Sequence, residues 1–248
     1  MNVALWAAEL AKSFWSQIGT PEPFPRQLRG SIRALPLTVE AMVQLTTGKV
    51  TQWLWRNGIS VGHSISDRSL RGCLIAKCGH GIIFLDAMDP EDEQRFTLAH
   101  ELAHFLRDYW RPRQLAIGRL GMQAPEVLDG KRAPTSQERL EALLGGVRLG
   151  FHLHLMERDG QRRPVDSVSR DAEWCADRLA CELLAPAEHV AALHRTAGGE
   201  DSPKSLAKRL CQDYGLPRLE AARYAGQLLG QSAPVEKWLA SLRESLGG

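Results

Sequence analysis

Residues 89–106 read DPEDEQRFTLAHELAHFL, and the rest of the chain is best read outward from this stretch. Asp89 suits an N-cap and Pro90 the first helical position. Glu91, Asp92 and Glu93 fill the first turn, where the helix dipole favours negative charge. Phe96, Ala99, Ala103 and Leu106 recur at helical spacing and supply an apolar stripe. Side chains four apart on a helix share a face, so His100 and His104 can offer two imidazoles to one zinc ion, with Glu101 beside them. In such a site the metal acidifies a water and the carboxylate takes its proton, which makes Glu101 the candidate general base of a peptide-bond hydrolysis. The bland alternative, a surface helix with two solvated histidines, is disfavoured because the motif sits on a well-signalled helix and a partner element follows.

Upstream, GCLIAKCGHGIIFLD (72–86) places two β-rich apolar runs around Gly79, His80 and Gly81, the pattern of a hairpin. Further back lie a probable helix ending near TQWLWRNG (51–58), a mixed segment, and a Pro-rich turn, TPEPFP (20–25). The chain opens on an amphipathic helix, with Val3, Trp6, Ala7, Leu10, Phe14 and Ile18 at helical spacing. Glu9 and Lys12 interrupt its apolar run, which argues against a signal peptide.

Downstream, the spacing predicts a loop from Arg107, a capped helix opening at TSQE (135–138), a strand at GFHLHLME (150–157) and a polar turn at DGQRRP (159–164). A long helix follows from Ser169 to Leu184, stopping before Pro186. After a Gly-Gly loop at 198 and 199, SLAKRLCQDYG and LPRLEAARYAGQLLG read as two more helices.

Composition narrows the class. With 44% hydrophobic residues in 248, the chain can bury a core, and 31 Lys+Arg against 29 Asp+Glu gives no electrostatic case for a dedicated nucleic-acid or membrane binder. Five cysteines without a CxxC pair fit a reducing, cytoplasmic setting, with Cys175 and Cys181 read as small hydrophobes. No stretch approaches the roughly 18 apolar residues of a membrane span.

A catalytic zinc needs a third protein ligand and an open position. In EWCADRLACELLAP (173–186), Glu173 and Asp177 are four apart and share a helix face. Glu173 could ligate while Asp177 accepts the free N–H of a liganding histidine, fixing its tautomer. An exposed acidic pair is the competing reading. His152, His154 and Tyr109 are candidates for a hydrogen bond to the transition-state oxyanion, against a plain packing role.

Together, RFTLAHELAHFL and EWCADRLACELLAP resemble the ImmA/IrrE family of metallo-endopeptidases. The resemblance spans roughly residues 68–110 and 169–230, with Glu173, Asp177, Leu183, Leu184 and Pro186 filling the family's places. It implies a gluzincin-like site with Glu173 as third zinc ligand, Asp177 as its support, and a protein or peptide substrate, such as a cytoplasmic helix-turn-helix repressor. Two departures stand out. The stretch between His104 and Glu173 is longer than in a compact member, implying an insertion, and Leu179 and Ala185 replace the more usual Phe and Met.

The expected fold is therefore α+β: zincin-like, with a small sheet on the active-site helix and helices elsewhere. Expected divisions are an N-terminal helical region (1–66), a catalytic domain (67–190) with an insertion at about 107–168, and a C-terminal helical region (191–248). A substrate would add as an extended strand to a sheet edge, for which a strand of the 72–86 hairpin is the natural choice. Two other readings compete: a non-catalytic zinc-binding or toxin–antitoxin-linked interaction protein, and a DNA binder using the C-terminal helices. Lys204, Lys208, Arg209, Arg218 and Arg223 there are interleaved with Glu200, Asp201, Asp213 and Glu220, the pattern of a solvated face.

Overall fold

The computed structural model describes residues 4–19, 21–59, 66–121, 123–136, 138–139, 152–157, 167–196 and 202–230. It is α+β, mostly helical, with one four-stranded mixed sheet. The DGQRRP turn and the Gly-Gly loop lie outside the described residues.

The chain forms two compact units. One comprises residues 27–180. Its sheet contains β1 (Leu37–Met42), β2 (Leu70–Lys77), β3 (His80–Asp86) and β4 (His152–Glu157), in the order β1-β3-β2-β4. The hairpin β2–β3 forms as its sequence suggests. Its two-residue turn, Cys78-Gly79, has φ of +54° and +81°, the mirror-image turn that matches strand twist.

Both hairpin strands lie inside the sheet, which corrects the expectation that one of them is free to take a substrate. β1 pairs parallel with β3, and β4 pairs antiparallel with β2. Among the described residues, the edges are β1 and β4.

Alternation along the strands sorts the sheet into two faces. On one, Cys73, Ile75 and Phe84 cluster with Leu45 and with Val50 and Leu54 of α2 (Thr47–Arg56), and Leu155 of β4 packs against them. The other face receives α3 (Glu91–His104). Two glycines allow the close approach: a Cβ on Gly72 would lie 2.5 Å from Thr97 Cγ2, and one on Gly81 would lie 2.9 Å from Phe105 Cε2.

The N-cap of α3 is Pro90, one residue later than sequence suggests, and no side chain caps it. Instead the Gln94 side chain donates to the Asp89 carbonyl (2.8 Å), while Asp86 receives the amides of Gln44, Leu45 and Met88. The expected loop after Leu106 is instead helical: a π-helical turn, Phe105–Trp110, leads straight into α4 (Arg111–Leu120). The short α5 (Ala124–Leu128) folds back, fixed by packing of Ala116, Ala124 and Leu128 and by the Arg113–Asp129 ion pair. Thr135 and Glu138 form the expected reciprocal capping box (3.2 and 2.8 Å).

The long helix α6 (Ser167–Leu184) has residues in both units. The second unit, residues 1–26 with 181–248, holds α1 (Leu5–Ile18), α7 (Ala187–Thr196), α8 (Pro203–Tyr214) and α9 (Arg218–Leu228). Ser202 caps the start of α8 through the Ser205 amide, and Gly215, in the left-handed conformation, ends it. Within this unit, buried Glu182 accepts from Tyr224 (2.9 Å) and from the Ala187 amide (3.1 Å), and Arg26 stacks on Trp15. Among the described residues no helix is long and apolar enough to cross a membrane.

Candidate metal centre

The faces of α3, β4 and α6 converge on one point within the 27–180 unit. His100 and His104 are buried on α3, with Nε2 atoms 3.2 Å apart. From α6, the Glu173 carboxylate lies 3.3 Å from His100 Nε2 and 3.5 Å from His104 Nε2. Atoms bound tetrahedrally to one zinc at about 2.0–2.1 Å sit about 3.3 Å from each other. The separations are therefore those of a ligand shell.

Each imidazole is fixed from behind. His100 Nδ1 donates to Asp177 Oδ1 (2.9 Å), and His104 Nδ1 donates to Asp108 Oδ2 (2.8 Å). With each Nδ1–H given to a carboxylate, the two Nε2 atoms face each other and Glu173, an arrangement that repels itself unless a proton or a metal cation lies among them. Asp177 is thus where its spacing on α6 places it. Asp108 went unrecognised in the sequence although it stands four residues after His104. Asp108 lies in the π-helical turn that continues α3, so the helix runs on far enough to carry it beside His104.

A third histidine completes the group. β4 pairs Leu74 with His154, so His154 shares the α3-facing side with Gly72 and Leu74. Its Nε2 is 2.9 Å from Glu173 Oε1 and its ring stacks on His104 at 3.8 Å. Its Nδ1 contacts Glu101 Oε2 at 2.8 Å. One ligand atom each from His100, His104, His154 and Glu173 lies within 4.8 Å of the others. Glu101 is completely buried, and its Oε1 has no hydrogen-bond partner among the described residues. The HLHL alternation was the available signal for His154; the strand pairing that aims it at α3 is non-local.

The sequence of residues 60–120 matches the family model of the IrrE N-terminal-like domain, Peptidase_M78. Residues 60–120 thus match a domain of the ImmA/IrrE metallopeptidase family. The matched span covers β2, β3, α3, the π turn and α4, so His154, Glu173 and Asp177 lie beyond it. No curated protein matches the sequence.

The electrostatics at the convergence point favour a cation there. Burial disfavours charge on His100, but Asp177 and Glu173 outweigh it and raise the ring to about 9. Burial likewise opposes charge on His154, yet Glu101 and Glu173 raise it to about 10. Glu173, despite the upward push of burial, is held far below the usual carboxylate range by His100, His104 and His154. A field that so favours a proton on these rings favours a divalent ion in the proton's place.

The remaining candidates have other partners. Tyr109 accepts the Gly79 amide at the hairpin turn (2.7 Å), and His80 is exposed with Nδ1 against the Cys78 carbonyl. Cys73 is buried in the sheet, and burial, reinforced by Glu101, pushes its thiol well up, which makes it unreactive. Cys181 is buried as expected, while Cys175 is only partly so.

Proposed function

We propose that this chain is a zinc-dependent endopeptidase of gluzincin-like type. In this reading His100, His104 and Glu173 hold the metal, and Glu101 is the general base. The observation that carries it is the meeting of two histidine Nε2 atoms and the Glu173 carboxylate at 3.2–3.5 Å, each ring backed by an aspartate. A zinc ion held there would supply Lewis-acid polarisation of the scissile carbonyl and a lowered pKa for the attacking water. Glu101, buried beside the site, would accept that water's proton and deliver it to the leaving amine nitrogen. Asp177 and Asp108 keep His100 and His104 in the tautomer that leaves Nε2 free to ligate.

A protein substrate would lie as an extended segment along the edge of β4 that is unpaired among the described residues, the strand that carries His154. The substrate class in this reading is a cytoplasmic regulator, such as a helix-turn-helix repressor. The competing reading is a non-catalytic zinc-binding regulatory or toxin–antitoxin-linked protein. It is favoured by the convergence of four protein donors, which is the composition of a closed site.

Glu101→Gln separates the two. Under the peptidase reading, the variant keeps one zinc per chain by elemental analysis and loses cleavage of a co-expressed repressor. A wild-type chain that leaves every candidate repressor intact, or a Glu101→Gln chain that cleaves as wild type, refutes it.

A further inference from the structure

Resting on the metal-site reading above, we infer that β4 is a latch: His154 takes the fourth corner of the metal site and simultaneously holds Glu101, so hydrolysis requires His154 to leave both.

Three rings show one pattern. His100, His104 and His154 all turn Nε2 inward, and each has a carboxylate on Nδ1: Asp177 at 2.9 Å, Asp108 at 2.8 Å and Glu101 at 2.8 Å. A carboxylate on the outer nitrogen is what orients a liganding histidine and raises its basicity. By this pattern His154 is as much a ligand as the two histidines of α3. Four protein donors close a tetrahedral site, whereas catalysis needs one position open to water. Glu101, meanwhile, serves as the outer partner of His154, with Oε2 committed to that ring.

The four donors differ in how firmly they are mounted. His100 and His104 belong to a helix buried from Arg95 to His104, and Glu173 projects from the 18-residue α6. His154 stands on a six-residue edge strand whose other edge is unpaired among the described residues. The ladder to β2 and the Arg68–Glu157 ion pair hold that strand. It is the mounting that yields with least disruption. A peptide adding to the free edge of β4 acts on the very backbone that carries His154, so substrate docking and release of the corner are coupled.

The test uses the full chain loaded with cobalt(II), whose visible spectrum reports coordination, and azide as a probe for an open position. Wild type, His154→Ala and His154→Phe are compared, the last keeping an aromatic ring over His104. The latch predicts a wild-type spectrum that azide leaves unchanged, azide-sensitive spectra in both variants, and a cobalt affinity in both below that of wild type. One cobalt per chain with an azide-sensitive wild-type spectrum overturns the latch and leaves the metallopeptidase reading standing. So do variants whose spectra and affinity equal those of wild type. A wild-type chain that binds no cobalt overturns both.

Discussion

Gly72→Ala tests whether the sheet positions the general base. The new Cβ would lie 2.5 Å from Thr97 Cγ2, 3.0 Å from Glu101 Oε1 and 3.3 Å from Glu101 Cγ. Non-bonded carbons rest about 3.5–4.0 Å apart, so strand and helix must part by about 1 Å, or the Thr97 and Glu101 side chains must rotate. Both residues are fully buried on α3, leaving little room to rotate. Overpacking of this kind costs about 1–3 kcal/mol. In a chain of this length each kcal/mol lowers the melting temperature by roughly 2–4 °C, so a mid-range cost appears as a fall of about 4–8 °C. Displacing Glu101 by about 1 Å should also slow hydrolysis by about a hundredfold. The control is Gly72→Ala with Thr97→Ser, which removes the methyl making the closest contact. Circular-dichroism melting should show the double variant recovering part of the stability while activity stays low, because the contact with Glu101 persists. A double variant no more stable than Gly72→Ala alone, or a single variant that melts with wild type, would refute the argument.

Three further outcomes follow from the geometry. Asp108→Asn and Asp177→Asn should each weaken zinc binding by about 10–100-fold in chelator competition, since each aspartate holds one ring of the proposed metal site; an unchanged Asp108→Asn would deny Asp108 that role. Arg113→Leu strands Asp129, whose side chain is 6% exposed, and should destabilise the chain by about 3–5 kcal/mol in urea unfolding. Tyr224→Phe removes a donor from buried Glu182 and should cost about 1.5–3 kcal/mol by the same measurement; a loss within error would mean that the remaining partners of Glu182 suffice.

What the sequence disclosed was local. The helix bearing His100, Glu101 and His104 is announced by its acidic first turn and its stripe, and the hairpin by two apolar runs around Gly79. Glu173 and Asp177 could be paired because helical spacing alone puts them on one face. What escaped depends on partners distant in the chain. TVEAM (38–42) alternates too weakly to declare a strand, and its parallel pairing with β3 leaves no mark in its own residues. The same pairing removes β3 from the edge, so the substrate's place could not be chosen before the strand order was known. HLHL declares its alternation but not which side faces α3; pairing of Leu74 with His154 decides that. Asp108 was hidden differently. Its spacing from His104 was in plain view, but a helix that continues through a π turn reads as a helix that has ended.

The strand order also bears on how the domain assembles. β2, β3 and α3 follow one another in the chain and touch, so their contacts close short loops and can form early. β4 joins β2 only after the intervening chain, which contains α3, the π turn, α4 and α5, has been spanned. His100, Glu101 and His104 are thus set in place by a local nucleus. His154, arriving with a late-annexed strand, is the last histidine to reach the centre, and a nascent chain passes through a stage in which the helix motif stands complete while β4 has yet to dock.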